Sequence, residues 1–394
     1  MNTENKRVNL LLLLEILALV VVIVLVIMTK VSGTGNQEPQ GHSSQNEVVG
    51  SENTEGSSDT EGTSNDKGDT TGISVPDSYT EERIAFSDSV EAKLTSMSTE
   101  EKVAQLFIVT PEQLTGYDQV TMFGAASQTA LDQYPVGGFV YSSLNMESAA
   151  QTQALLVNAQ EYNVQKRGVQ LFTAIEDKNR DMADLKEYGF NLMLTTVADV
   201  ARFMDTEYSQ LTFGTDAVVV ADKVSNEVQT IETTGLMSTL KYFPGKAQAK
   251  AGNNGVWISY ESLEDLNAGS LLSYQAGIDA GATFVMVGNV IIPSVTGDDT
   301  VPCSLSNRAV GLLRKSMGFQ GVLITDNFSE ENFVSVYGSA EGCVKAINAG
   351  MDMIYKPADF VGAYTAILEA VNNGTISVDR LNNAVGRILT AKGV

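Results

Sequence analysis

A single histidine serves the whole chain of 394 residues. It is His42, in the stretch GHSSQNEVVGSENTEG, which has no apolar periodicity. Any folded domain elsewhere therefore contains no imidazole. That excludes Ser-His-Asp and Cys-His nucleophilic machinery, HExxH zinc sites and a histidine general acid. Cysteine is nearly as scarce: Cys303 and Cys343 alone build neither a disulfide framework nor a four-thiolate zinc site. Positive charge is in deficit, with 25 Lys and Arg against 48 Asp and Glu and a net of −23. A phosphate backbone needs clustered cations, so nucleic acid is excluded as a partner. No G-x-G-x-x-G or Walker loop is present, so no nucleotide cofactor is expected, and no metal or other cofactor is implied.

What is present is unevenly distributed. Leu10 to Met28 form a run of 19 positions with one charge, Glu15. As a helix it would be roughly 28 Å long, close to the hydrocarbon core of a bilayer. Lys6 and Arg7 precede it, so residues 8–30 are expected to anchor the chain in a membrane as a single pass. Residues 1–7 would lie in the cytoplasm and the C-terminal domain outside the cell. A cleaved signal peptide is the alternative, but the run exceeds a usual h-region and no A-x-A site follows. Residues 31–78 hold five aliphatic and no aromatic residues, with nine acids against Lys67. Such a stretch cannot bury enough apolar surface to offset chain entropy and reads as a disordered acidic linker. The remaining domain, 79–394, carries −16, a charge whose plainest consequence is solubility.

From Ser87 onward short apolar runs alternate with amphipathic stretches. Ser98 with Glu101 forms a capping box inside VEAKLTSMSTEEKVAQLF (90–107). Eight candidate strands follow: Phe107–Thr110, Gly137–Tyr141, Val169–Ile175, Asn191–Thr196, Met237–Phe243, Thr283–Val287, Gly321–Thr325 and Met351–Tyr355. Helical patterns occupy 148–164, 262–281, 338–350 and 378–391. Eight strands with helical crossovers predict an α/β fold of the (β/α)₈ TIM-barrel type, with a doubly wound sheet as the alternative. In a barrel, chemistry sits where strands end at the C-terminal face. Those ends carry Glu176 and Asp177, Asp199, Lys241 and Tyr242, Asn289, Asp326 and Asn327, and Lys356. Asp326, closing GVLITDNFS, is the most pointed, although Asp is also a favoured helix cap.

Read in order, the segments resemble glycoside hydrolase family 3, bacterial β-N-acetylhexosaminidase type. MSTEEKVAQLFIV (97–109) resembles its opening signature and PVGGFVYS (135–142) its second strand. FNLMLTTVADV (190–200) and LTFGTDAVVVAD (211–222) resemble the family's "N-x-x-APV-x-DV" and "RSFG-x-D" stretches. LKYFPG (240–245) resembles "KHFPG", and AGIDAGATFVMVGNVIIP (276–293) the segment around strand six. MGFQGVLITDNFS (317–329) and AINAGMDMIYKP (346–357) resemble the last two strand motifs. The resemblance implies an N-terminal (β/α)₈ catalytic domain and a retaining mechanism, in which a carboxylate forms a glycosyl-enzyme and a second group protonates the leaving oxygen.

Carried over residue by residue, the resemblance makes Asp326 the nucleophile and places Lys241, Tyr242, Glu176 and Asn289 at positions of substrate contact. Several positions depart from the family. Its acid/base is a histidine in the loop after KHFPG, and here KYFPGKAQAKAGNNGVWIS (241–259) has no His, Asp or Glu. Lys246 and Lys250 are poor general acids at an ordinary lysine pKa of about 10.4. Tyr242, Asn289, Leu211 and Asn327 replace two histidines, an arginine and an acid, and Glu176 stands for a sugar-binding Asp. Replacement acids would be Glu176, Asp177 or Glu261. Trp257 is expected in the core, with sugar stacking as the alternative. The expected function is a membrane-anchored extracytoplasmic hydrolase-like protein of impaired or altered activity on cell-wall amino sugars. The alternative is an inactive carbohydrate-binding or scaffold module. A cell-wall glycan or muropeptide and the membrane are the expected partners.

Overall fold

The computed structural model describes residues 72–394. The expected anchor and most of the expected linker lie outside the described residues. Among the described residues no helix is long and apolar enough to cross a membrane. The strands, in chain order, are β1 (Phe107–Val109), β2 (Gly138–Tyr141), β3 (Phe172–Ile175), β4 (Leu192–Val197), β5 (Met237–Phe243), β6 (Lys250–Ala251), β7 (Trp257–Ile258), β8 (Phe284–Val287), β9 (Val290–Ile291), β10 (Val322–Asn327) and β11 (Met353–Tyr355). Eight of them close a barrel in the order β1-β2-β3-β4-β5-β8-β10-β11 and back to β1. Every barrel pair is parallel, as βαβ crossovers require. All eight predicted strands are there, each shifted by at most three residues. The doubly wound alternative is set aside by the closure.

The strands form where they do because they are apolar on both faces. One face meets the helices, and the other fills the barrel. Phe172 on β3 and Phe284 on β8 meet edge to face with centroids 5.1 Å apart. Two strands separate β3 from β8, so this contact crosses the lumen and packs it shut. Both residues open their strands, and the buried Lys392 ammonium lies 4.8 Å from the Phe172 ring at that same end. Close approach between strands explains one glycine. A Cβ on Gly138 would sit 2.5 Å from the Phe172 carbonyl oxygen.

The helical stretch 90–107 is interrupted and restarts at the expected Ser98–Glu101 capping box, giving two helices, Asp88–Ser96 and Thr99–Gln105. The single helix expected over 262–281 is broken into Leu263–Ala268 and Ser270–Asp279 at the non-helical Gly269. The pairing of β6, β7 and β9 into a small sheet beside the barrel has no counterpart in the sequence pattern, because its strands are two residues long.

Residues 72–78, assigned by composition to the linker, lie against the domain. Ile73 and Val75 pack on the core, and Asn267 donates to the Ile73 carbonyl. Beyond them a buried ionic cluster joins the two ends of the described chain. Asp352 receives Arg314 at 2.6 Å, Arg380 at 2.8 Å and Arg387 at 2.9 Å, and Glu81 pairs with Arg380 and Arg387. Burial opposes ionisation of Asp352, but the surrounding guanidinium charges outweigh it and hold its pKa below the ordinary value.

Candidate active site

Asp326 is the fifth residue of β10, at the C-terminal mouth of the barrel, and is 3% exposed. Both its oxygens are engaged. Oδ1 accepts the Asn327 backbone N–H at 2.8 Å, and Oδ2 accepts that of Asn289 at 3.2 Å. Oδ2 also receives the Lys246 ammonium at 2.9 Å. The same ammonium lies 3.5 Å from Glu330 Oε1. It is roofed by aromatic rings, with centroids at 4.2 Å for Tyr208, 5.3 Å for Tyr242 and 5.8 Å for Trp257. The Lys246 side chain has no solvent exposure. Burial disfavours its charge, but the attraction of Asp326 and Glu330 prevails and keeps it protonated far above the usual lysine range.

The chain puts Lys246 there by an abrupt turn after β5. The Lys241–Tyr242 and Phe243–Pro244 peptide bonds are both cis. Gly245, at φ +146°, adopts a conformation in which a side chain would be strained and would crowd Ser270 Oγ. Asp199, fully buried after β4, fixes the turn. Its carboxylate accepts the backbone N–H groups of Tyr242 at 3.1 Å and Lys246 at 2.6 Å, and the Tyr274 hydroxyl at 2.8 Å. Burial pushes the Asp199 pKa up to about 6 against those donors. Asp199 is thus a positioning residue. Further on, Asn332 holds the loop by donating to the Gly255 carbonyl at 2.6 Å.

Of the substrate contacts expected, Lys241, Tyr242 and Asn289 gather around Asp326. Lys241 is 7% exposed, and burial holds its pKa down despite the attraction of Glu176, 3.9 Å away, and of Asp326. The Asn289 side chain is occupied: it donates to the Asn327 carbonyl at 2.9 Å and accepts the Ser304 hydroxyl at 2.8 Å. Glu176 stands further out, exposed at the end of β3. With Asp177 and Lys356 it lines a cavity of about 390 Å³ over β1, β2, β3 and β11, whose walls do not include Asp326.

The proposed replacement acids are spread apart. Asp177 pairs with Arg180 at 3.1 Å on the surface, and Glu261 accepts the Ser259 hydroxyl at 3.0 Å. Trp257 is half-buried, packing on the core as expected while also walling the site, where it meets Tyr208 edge to face at 5.2 Å. Glu330 and Tyr208 escaped the sequence reading. The signal for Glu330 is its place four residues after Asp326, on the loop that leaves β10. Cys303 and Cys343 are buried free thiols, and among the described residues no group of three or more His, Cys, Asp and Glu side chains is placed to hold a metal.

Residues 174–391 match the family described as "Glycosyl hydrolase family 3 N terminal domain". Among curated proteins, a "Beta-N-acetylglucosaminidase/beta-glucosidase" of Cellulomonas fimi is 27% identical over 220 residues, 53% of this chain and 39% of that protein. "Beta-hexosaminidase LpqI" of Mycobacterium tuberculosis is 28% identical over 229 residues, 56% of this chain and 58% of that protein. The chain thus spans between two fifths and three fifths of the length of such relatives. Among solved structures, a glycoside hydrolase family 3 β-N-acetylglucosaminidase from Paenibacillus sp. aligns with TM-score 0.69 at 23% identity, covering 76% of this chain and 62% of that one. The structure of M. tuberculosis LpqI aligns with TM-score 0.64 at 21% identity, covering 78% and 97%. At such identities these alignments establish the fold.

Proposed function

Because the chain belongs to glycosyl hydrolase family 3, we propose that its barrel is a β-N-acetylhexosaminidase-like site for cell-wall amino sugars whose hydrolysis is strongly impaired. The observation that carries this reading is the buried Lys246–Asp326 ion pair. A retaining nucleophile must present an oxygen lone pair to an anomeric carbon. Here a buried ammonium sits on Asp326 Oδ2, while each oxygen also accepts one backbone N–H group. The relatives' names supply the sugar class, and the missing histidine removes the family's own proton donor.

The test uses the full-length chain in detergent, beside Asp326→Ala. Natural muropeptides should be turned over at most at trace rates, and a 2-fluoro sugar should label Asp326 slowly. Brisk turnover of muropeptides that disappears with Asp326→Ala overturns the reading.

The second reading is a carbohydrate-binding or scaffold module. The cavity beside Glu176, Asp177 and Lys356 favours it, since a sugar held there need not engage Asp326. Calorimetry distinguishes the two: a binding module takes up glycan equally well with Asp326 or Ala at that position. In either case we place the domain outside the cell, tethered by residues 8–30. Intact-mass measurement of the membrane fraction checks this, since loss of the first 30-odd residues would mean cleavage.

A further inference from the structure

Glu330 has an oxygen, Oε2, that is buried and has no hydrogen-bond partner. Its other oxygen, Oε1, shares the Lys246 ammonium with Asp326. Two oxygens that contact one nitrogen at 2.9 and 3.5 Å lie within 6.4 Å of each other, the sum of those contacts. That bound falls below the roughly 6.5–9.5 Å of an inverting carboxyl pair and accommodates the roughly 5–5.5 Å of a retaining one.

We propose that Glu330 is the acid/base partner of Asp326, and that Lys246 is an internal cation that locks the pair shut. The proposal rests on the reading of Asp326 as a retained nucleophile. Three features support it. Glu330 precedes the helix Glu331–Tyr337, so β10 and the loop that leaves it carry the two carboxyls four residues apart. Its side chain is 21% exposed, whereas that of Asp326 is 5% exposed, so Glu330 is the more accessible of the two carboxyls. Burial and the Asp326 charge push the Glu330 pKa up, and both would act more strongly once Lys246 no longer offsets them.

With Lys246 withdrawn, the steps balance. A carboxylate oxygen of Asp326 bonds to the anomeric carbon as the bond to the leaving oxygen breaks. The Glu330 proton passes to that oxygen. Water then attacks the anomeric carbon and gives a proton back to Glu330, and the ester bond to Asp326 breaks. The lock has a clear origin. An ammonium that binds both carboxylates occupies the space in which the sugar C1 and the leaving oxygen must sit.

Full-length wild type, Lys246→Met and Lys246→Met/Glu330→Gln are compared on aryl β-N-acetylglucosaminides and aryl β-glucosides, with folding followed by circular dichroism. Lys246→Gln replaces Lys246→Met if the latter does not fold. Each sugar carries either dinitrophenol, which leaves without a proton, or phenol, which needs one. Lys246→Met should exceed wild type at least tenfold on both leaving groups. Adding Glu330→Gln should cost about 100-fold on the phenyl substrate and about threefold or less on the dinitrophenyl one. Equal losses on the two, or no gain from removing Lys246, overturn the proposal. Activity on glucosides alone overturns the amino-sugar reading and still scores Glu330. Brisk wild-type muropeptide turnover defeats the impaired-enzyme reading, whatever Glu330 does.

Discussion

Lys246 and Asp326 are a buried pair of opposite charges, and such a pair is costly to break from one side. Removing Asp326 would leave the ammonium with Glu330 as its only carboxylate, 3.5 Å away, under three rings. Asp326→Ala should therefore lower stability by about 3–5 kcal/mol in urea titration, and Lys246→Met with Asp326→Asn by much less. A null result would mean that water enters the site. None of this was legible in the sequence. The KYFPGK segment shows a lysine where relatives continue toward a histidine, and the lysine reads as a failed acid. Only folding reveals that it is a counter-ion. Asp326 itself was legible as a strand-end acid, with helix capping an even alternative until the resemblance of MGFQGVLITDNFS to the family motif weighed in. Glu330 was not, since a Glu beginning a helix looks like an ordinary solvated first turn.

At the level of elements, the barrel was readable because each strand is an apolar run bounded by Gly, Pro or polar residues. The two-residue strands β6, β7 and β9 were not, since period-two patterning needs at least four positions to show. The helix Val378–Ala391 was read to the residue, and the structure adds what holds it. Arg380 and Arg387, one on each side of its middle, converge on Asp352, just before β11, and on Glu81. Burial disfavours both acids' charges, yet the arginines lower both pKa values below the ordinary ones of 3.8 and 4.5. A depressed acid stabilises the fold above its unfolded pKa and loses that contribution as pH falls through the folded one. The cluster's contribution to stability should thus be flat near neutrality and drop below about pH 4 as its acids are protonated. Asp352→Asn should cost about 3–5 kcal/mol at pH 7 and flatten that acid limb in a series of denaturant titrations.

The whole molecule also responds to alkali, through Lys392 at the closed end of the barrel. Its ammonium meets Gln105 Oε1 at 2.7 Å and the Phe172 ring, and burial pushes its pKa down to about 7. A base lowered on folding binds fewer protons than the unfolded chain between its two pKa values, so stability rises with pH across that interval. Wild type should gain more stability between about pH 7 and pH 10 than Lys392→Met does. A parallel response in the two proteins would place the titration elsewhere. The cluster at Asp352 has a mechanical consequence. Glu81 lies near the start of the described chain, and Arg380 and Arg387 lie near its end. A force applied between residues 72 and 394 reaches that clasp once the contacts outside it, those of Ile73, Val75 and Lys392, have given way. Optical-tweezer extension from those two points should show an early rip that releases the last helix, and Glu81→Ala should erase it while leaving the barrel's own rupture force in place.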